Sequence, residues 1–279
     1  ACGVPRRKQI AILPHDTNAL VSERYAGTLC THLMVELSRH DMFGMLIGSN
    51  EIERLTREIF DGIVAASWEN RDLDILRTIK DTPIVMARYC TLGDEFHLAG
   101  WNHYSEGELV AEHFLNRGHR NIAMMHIDPG DPLSLEQRWA GFSDKAAEMG
   151  VELNPEQRMV YETRSRMASV LKKAVNANVD GLWIPGHQYR SVEGVKILQE
   201  IIGVQIPRDI SVIGSENEGV SALLNPSLTT VAAPLQALAA RIVEHLMATL
   251  ESGENLLERE PILLEPYLIE RDSVASRRP

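Results

Sequence analysis

The chain predicts an α/β protein of two lobes, each built on a parallel sheet, and three observations carry that expectation. Short apolar runs alternate with amphipathic stretches from Gln9 onward, which is the pattern of strand–helix–strand units. A second series of the same kind begins near Asp128. The chain, at 279 residues, is long for one core, since single cores stop growing at roughly 250 to 300 residues and longer chains divide.

In the first series the expected strands are Ile10 to Leu13, Met42 to Ile47, Gly62 to Ala66, Ile84 to Ala87, His97 to Gly100 and Ile122 to His126. Helices fit between them. Val21 to Arg39 carries Tyr25, Leu29, Leu33 and Leu37 at four-residue spacing. Glu106 to Arg117 gathers Leu109, Val110, Phe114 and Leu115 on one face, and Gly118 stands where a helix C-cap glycine belongs. In the second series a helix from about Leu135 to Met149 ends at Gly150. Strands are expected at Arg158 to Tyr161, Gly181 to Pro185 and Ser211 to Gly214, with helices Arg166 to Val175 and Val192 to Ile202 between them. Leu235 to Leu250 is strongly helical, and a strand pair around Ile262 to Leu264 and Tyr267 to Ile269 comes last. Neither repeats nor long Pro/Ser-rich linkers occur, so direct strand crossings, not a flexible tether, join the lobes.

Composition narrows the function classes. Hydrophobic content of 44% and charged content of 24% are those of a globular protein, and no apolar run approaches the ~20 residues of a membrane span. The residues before Gln9 lack the apolar stretch of a signal peptide, which favours a cytoplasmic location. A net charge of −11 gives no overall attraction for phosphate backbones, so the chain is not expected to bind DNA unaided. Arg6-Arg7-Lys8 and Arg277-Arg278 read as solvated tails. The three cysteines, Cys2, Cys30 and Cys90, share no CxxC spacing, which argues against a disulfide framework and a zinc site alike. GxSxG, HExxH, GxxxxGK[ST] and GxGxxG are all absent. No catalytic residue, metal or cofactor is expected. His113 and His119 bracket a helix end in surface or capping roles, and Glu36 and Glu106 read as solvated helix faces.

The densest signal is Ile210 to Val231, ISVIGSENEGVSALLNPSLTTV, which compresses strand, polar loop, turn and second strand into one cassette. It closely resembles the DISVVGFDD...PPLTTV signature of LacI/GalR-type bacterial transcription regulators. Tyr104-Ser105-Glu106-Gly107 followed by Gly118-His119-Arg120-Asn121-Ile122-Ala123 resembles that family's DNYxxG...GHRRIA stretch, and Gln137-Arg138-Trp139-Ala140-Gly141-Phe142 is similar to its QRLxGF. Pro207 to Gly214, Pro226 to Val231 and Ile269-Glu270-Arg271-Asp272-Ser273 match VPxDISVVG, PPLTTV and IxRxS. One such word is weak; together, in order, they are strong. The resemblance implies a type I periplasmic-binding-protein-like fold: two flavodoxin-like lobes with parallel sheets joined by three crossovers, the effector lying in the cleft. On that template one lobe spans 8–126 plus 233–261, the other spans 127–232 plus 262–279, and residues 1–7 are the remnant of a linker to a missing DNA-binding headpiece.

The same resemblance implies a homodimer that senses a small molecule, sugar or sugar-derived, and meets operator DNA only through that headpiece, as a repressor. The alternative is the solute-binding protein of a transporter. Ligand groups belong at C-terminal strand ends. After the first strand come His15, Asp16 and Asn18, either a simple turn with an Asx cap or ligand contacts. Ser67 and Trp68 follow the third strand, the ring being a stacking wall for a sugar or base or a lid over the core. Arg138 stands where the family clamps its effector, and its guanidinium suits hydroxyls, carboxylates or purine edges. Glu216 stands where the family has a hydrogen-bonding aspartate, Gln188 and Tyr189 where it has Asn-Asp, and Asn102 and His103 where it commonly has Asp-Asn, next to Tyr104. Acidic acceptors have been lost or lengthened there, so the pocket differs from that of a simple neutral-sugar site. Val220, Leu223 and Leu224 offer an apolar contribution to a dimer surface, with a buried core helix as the other reading.

Overall fold

The computed structural model describes residues 6–14, 24–88, 90–127, 132–186, 188–216 and 219–277, with backbone only at Arg24, Ile127, Pro132 and Gln188. The chain divides into two units, Ala1–Trp101 with Pro234–Leu264 and Asn102–Ala233 with Glu265–Pro279. The first unit holds β1 (Gln9–Pro14), α1 (Arg24–Arg39), β2 (Phe43–Leu46), α2 (Arg54–Arg57), β3 (Gly62–Ser67), α3 (Asn70–Leu76), β4 (Ile84–Met86) and β5 (His97–Trp101). The second holds α4 (His103–Asn116), β6 (Ile122–Ile127), α5 (Pro132–Glu148), β7 (Arg158–Tyr161), α6 (Met167–Asn176), β8 (Gly181–Ile184), α7 (Gln188–Lys196), β9 (Ser211–Ser215) and β10 (Thr229–Ala232). The chain then returns to the first unit for α8 (Leu235–Ser252) and β11 (Ile262–Leu264), and to the second for β12 (Tyr267–Ile269).

Each unit has a six-stranded sheet, ordered β11-β5-β4-β3-β1-β2 in the first and β12-β10-β9-β8-β6-β7 in the second. All pairings are parallel except β10 with β12. In each sheet the first strand of the series lies inside the second, which is the flavodoxin-like winding, with helices on both faces. The strands are apolar on both sides because both sides are covered. In the first unit Ile10, Ile12 and Val64 pack with Leu29, Leu33, Leu37, Ile242 and Leu246 of α1 and α8, while Leu13 and Ile63 pack with Leu55 and Leu76 on the other face. In the second, Leu182 and Val212 pack with Leu171 and Val195, and Trp183 and Ile213 with Phe114 and Phe142. No helix among the described residues is long and apolar enough to cross a membrane.

The expected lobe boundary at 126/127 is corrected to Trp101/Asn102, because α4 and β6 belong to the second unit. β6 pairs with β7 and β8. α4 lies against α5 almost backbone to backbone: a Cβ on Gly107 would sit 2.2 Å from the Arg138 carbonyl oxygen, and one on Gly141 would sit 1.9 Å from that of Tyr104. The glycines of the YSEG and QRWAGF words therefore fit each other. β11 also pairs with β5, which moves Ile262–Leu264 from the expected second lobe to the first.

Candidate functional site

In doubly wound sheets the ligand crevice opens at the C-terminal strand ends, where the winding reverses. In the first unit that point lies between β1 and β3, and Pro14 stands in register with Ser67 across it. Of the expected residues, His15, Asp16 and Asn18 lie outside the described residues. Trp68 is half-buried against the Leu13 and Met86 layer, and the Arg88 guanidinium sits 4.5 Å from its ring centroid. The ring thus packs on the core and carries the Arg88 guanidinium over its face. Two strand ends on, Tyr25 donates its hydroxyl to the Ala87 carbonyl and packs its ring 5.5 Å from Trp101. Burial pushes the Tyr25 phenol well above its usual range. Arg88 has no carboxylate partner among the described residues, and its Nε is buried without an acceptor. Sequence reasoning passed over Arg88, although it directly follows the fourth strand candidate, because no family word contains it.

In the second unit the reversal lies between β6 and β8. α4 begins at an N-cap: the Asn102 Oδ1 accepts from the amides of Tyr104 (3.1 Å) and Ser105 (3.2 Å), while its Nδ2 donates to Glu265 (3.2 Å). The Tyr104 hydroxyl donates to Asp144 on α5 at 3.0 Å. Both side chains are thus committed to holding α4. Four residues after Asn102 the structure corrects the expectation for Glu106, which is buried inside the α4–α5 interface and not on a solvated face. Its Oε2 accepts from the Arg138 Nε at 2.8 Å and contacts the His103 Nδ1 at 3.1 Å. Burial would raise the Glu106 carboxyl, but Arg138 and His103 outweigh it and bring the pKa down to about 2. Arg138 is itself only 7% exposed and is anchored to Glu106 through Nε.

Past β8, Gly186 donates its amide to the Ser215 hydroxyl at 3.0 Å, and the Ser191 hydroxyl bridges the Ile184 carbonyl and the Ser215 amide. This ties the ends of β8 and β9 together. The side chain of Gln188 lies outside the described residues, and Tyr189 is 45% exposed on the first turn of α7. Arg190 follows, half-buried, its guanidinium against Gly186, where a Cβ would come within 3.3 Å of it. Glu216 turns back along the sheet: its Oε2 accepts from Arg271 at 2.8 Å and from the Thr230 hydroxyl. Val220 and Leu224 are half-buried and Leu224 packs on the Leu228 layer, whereas Leu223 is 83% exposed. Among the described residues no cluster could hold a metal ion.

Residues 111–274 match the family described as the periplasmic binding protein-like domain. The chain belongs to that family, as the effector-binding domain of a LacI-type regulator. The domain is 24% identical over 230 residues to the HTH-type transcriptional repressor PurR of Histophilus somni, covering 81% of this chain and 68% of that protein. Among solved structures it is similar to the transcriptional regulator CelR–cellobiose complex, with a TM-score of 0.79 at 19% identity over 97% of this chain and 86% of that one. It is similar also to a LacI-family regulator from Enterococcus faecium with bound ribose, with a TM-score of 0.76 at 20% identity over 97% of this chain and all of that one, 100%. Its curated relatives are transcriptional regulators and not enzymes.

Proposed function

We propose that this LacI-type domain binds a sugar or sugar-derived effector at the C-terminal strand ends, and that occupancy changes operator binding by a dimeric regulator. The observation that carries the reading is the gathering of ring and guanidinium groups at the two winding reversals, Trp68 with Arg88 in one unit and Arg138 with Arg190 in the other. Bound cellobiose and ribose in two similar structures support the sugar class. Coupling of effector and operator is reciprocal, so each ligand shifts affinity for the other by the same factor. Leu223, 83% exposed, is proposed to lie in the two-fold interface, where its burial would add about 1.5–3 kcal/mol to association.

A thermal-shift screen of sugars, sugar phosphates, sugar acids and nucleosides tests the reading, because a ligand at one hundred times its Kd stabilises by about 2.7 kcal/mol. A hit should lose affinity in Arg138→Ala and change operator affinity in the full-length regulator. Unchanged operator affinity at saturating hit would refute the regulatory reading, and a monomer by sedimentation at micromolar concentration would refute the interface.

A further inference from the structure

We propose that Arg190 and Arg138 together form a receptor for an anionic group of the effector, a phosphate or a carboxylate. This rests on the effector-binding reading above and narrows its chemistry. α5 follows β6 and α7 follows β8, so the two arginines project from the helices that flank the winding reversal of the second sheet. The Arg190 guanidinium reaches back over Gly186 at the end of β8, on the side of the reversal across from the helix that carries Arg138.

Three carboxylates of this unit are already engaged, one of them by Arg138 itself. Glu106 offsets Arg138 through Nε alone. Glu193, on the same helix as Arg190, receives the Arg164 Nε at 2.8 and 2.7 Å. Glu216 is held by Arg271. Arg190 therefore has no ionic partner among the described residues, although burial and the repulsion by Arg138 both disfavour its charge, against the phenol of Tyr161. A guanidinium cannot shed its proton at any physiological pH, so the uncompensated charge calls for an external anion. Arg88 in the first unit repeats the bias: a guanidinium on an aromatic face at a strand end, with a buried Nε lacking an acceptor. A site for neutral sugars would instead offer free carboxylates to hydroxyl donors, and here Glu106, Glu193 and Glu216 are occupied.

Calorimetry and melting of the intact chain in low-salt buffer decide the matter, using inorganic phosphate, gluconate, and the pairs glucose with glucose 6-phosphate and ribose with ribose 5-phosphate. The expected result is that phosphate binds and that at least one charged probe binds about tenfold or more tightly than its neutral partner. Arg190→Gln should abolish that preference and Arg190→Lys retain part of it, with the unliganded melting temperature of both close to that of the unsubstituted chain. Three results overturn the proposal: no anion binds, neutral probes bind as tightly as charged ones, or Arg190→Gln keeps the preference. Neutral probes that bind without charge preference and are lost in Arg138→Ala would overturn the anion receptor while leaving the effector-binding reading standing.

Discussion

The two units wind their sheets in the same order yet bury titratable groups in opposite ways. In the first, His97 on β5 faces His245 on α8, ring centroids 5.2 Å apart and Nε2 to Nδ1 at 3.2 Å. Burial, then His245 and Arg259, hold His97 down to a pKa of about 4, and burial also lowers His245, so both rings are held towards the neutral form. In the second, Glu106 and Arg138 are buried as ions. Helix contacts differ likewise. A Cβ on Gly44 in the first unit would meet the flexible Met34 thioether at 2.5 Å, whereas one on Gly141 in the second would meet a backbone carbonyl. The first unit packs its histidine pair as neutral rings and meets Gly44 with a flexible side chain. The second has a closely packed, charged seam between α4 and α5, and that seam holds Arg138 on the helix that follows β6. The same topology thus accepts either device, and the polar one sits where a ligand group must be aimed.

The hardest test of that contrast is Glu106→Gln, which leaves Arg138 buried without its counter-ion. It should destabilise the second unit by roughly 3–5 kcal/mol in denaturant titrations. The double variant Glu106→Leu/Arg138→Leu should recover most of the loss, since apolar groups of similar volume replace a buried pair at little cost. If the single variant were as stable as the parent, the seam would not depend on its charges. Next in size is Gly141→Ala, expected to cost about 1–3 kcal/mol because the helices must separate. Gly44→Ala should cost less than about 1 kcal/mol, since Met34 can change rotamer. Equal losses at the two sites would erase the distinction.

The contrast also shows in pH dependence. The folded pKa of Glu106 lies below its unfolded value, so its stabilisation is complete above pH 4.5 and is lost as pH falls towards about 2. His97 is also depressed, from 6.5 to about 4, so its share is present above pH 6.5 and is lost on the way down to pH 4. His113 on α4 titrates in the same window as His97, which is why variants and not whole units must be compared. His97→Gln should flatten the fall in unfolding free energy between pH 6.5 and 4.5, and Glu106→Leu/Arg138→Leu the fall between pH 4.5 and 3. A slope unchanged by His97→Gln would remove the neutral-ring account of the first unit.

Most strands were legible because each is a β-branched or apolar run bounded by turn residues, as with Ile10 to Leu13 and Ser211 to Gly214. The short helix Asn70–Leu76 carried little apolar periodicity; its signal was the capping box of Glu69 and Asp72. Site residues were legible by position and not by partner. Arg138 was found through its word, but nothing local in the chain tells that Glu106, 32 residues earlier, neutralises it. Arg271 and Glu216, 55 residues apart, are the same case. Arg88 and Arg190 were missed because a lone arginine after a strand looks like any surface charge until its surroundings are known.

Alternating apolar runs, their glycine and proline boundaries and the order of the family words are local properties of the chain, and by themselves they determined two wound sheets and a LacI-type effector domain. Which unit receives α4 and β6, and which carboxylate quenches which arginine, depended on groups far apart in sequence meeting in a low-dielectric interface. The Glu106–Arg138 pairing follows from the packing of α4 on α5 through Gly107 and Gly141, and only the tertiary structure decides it.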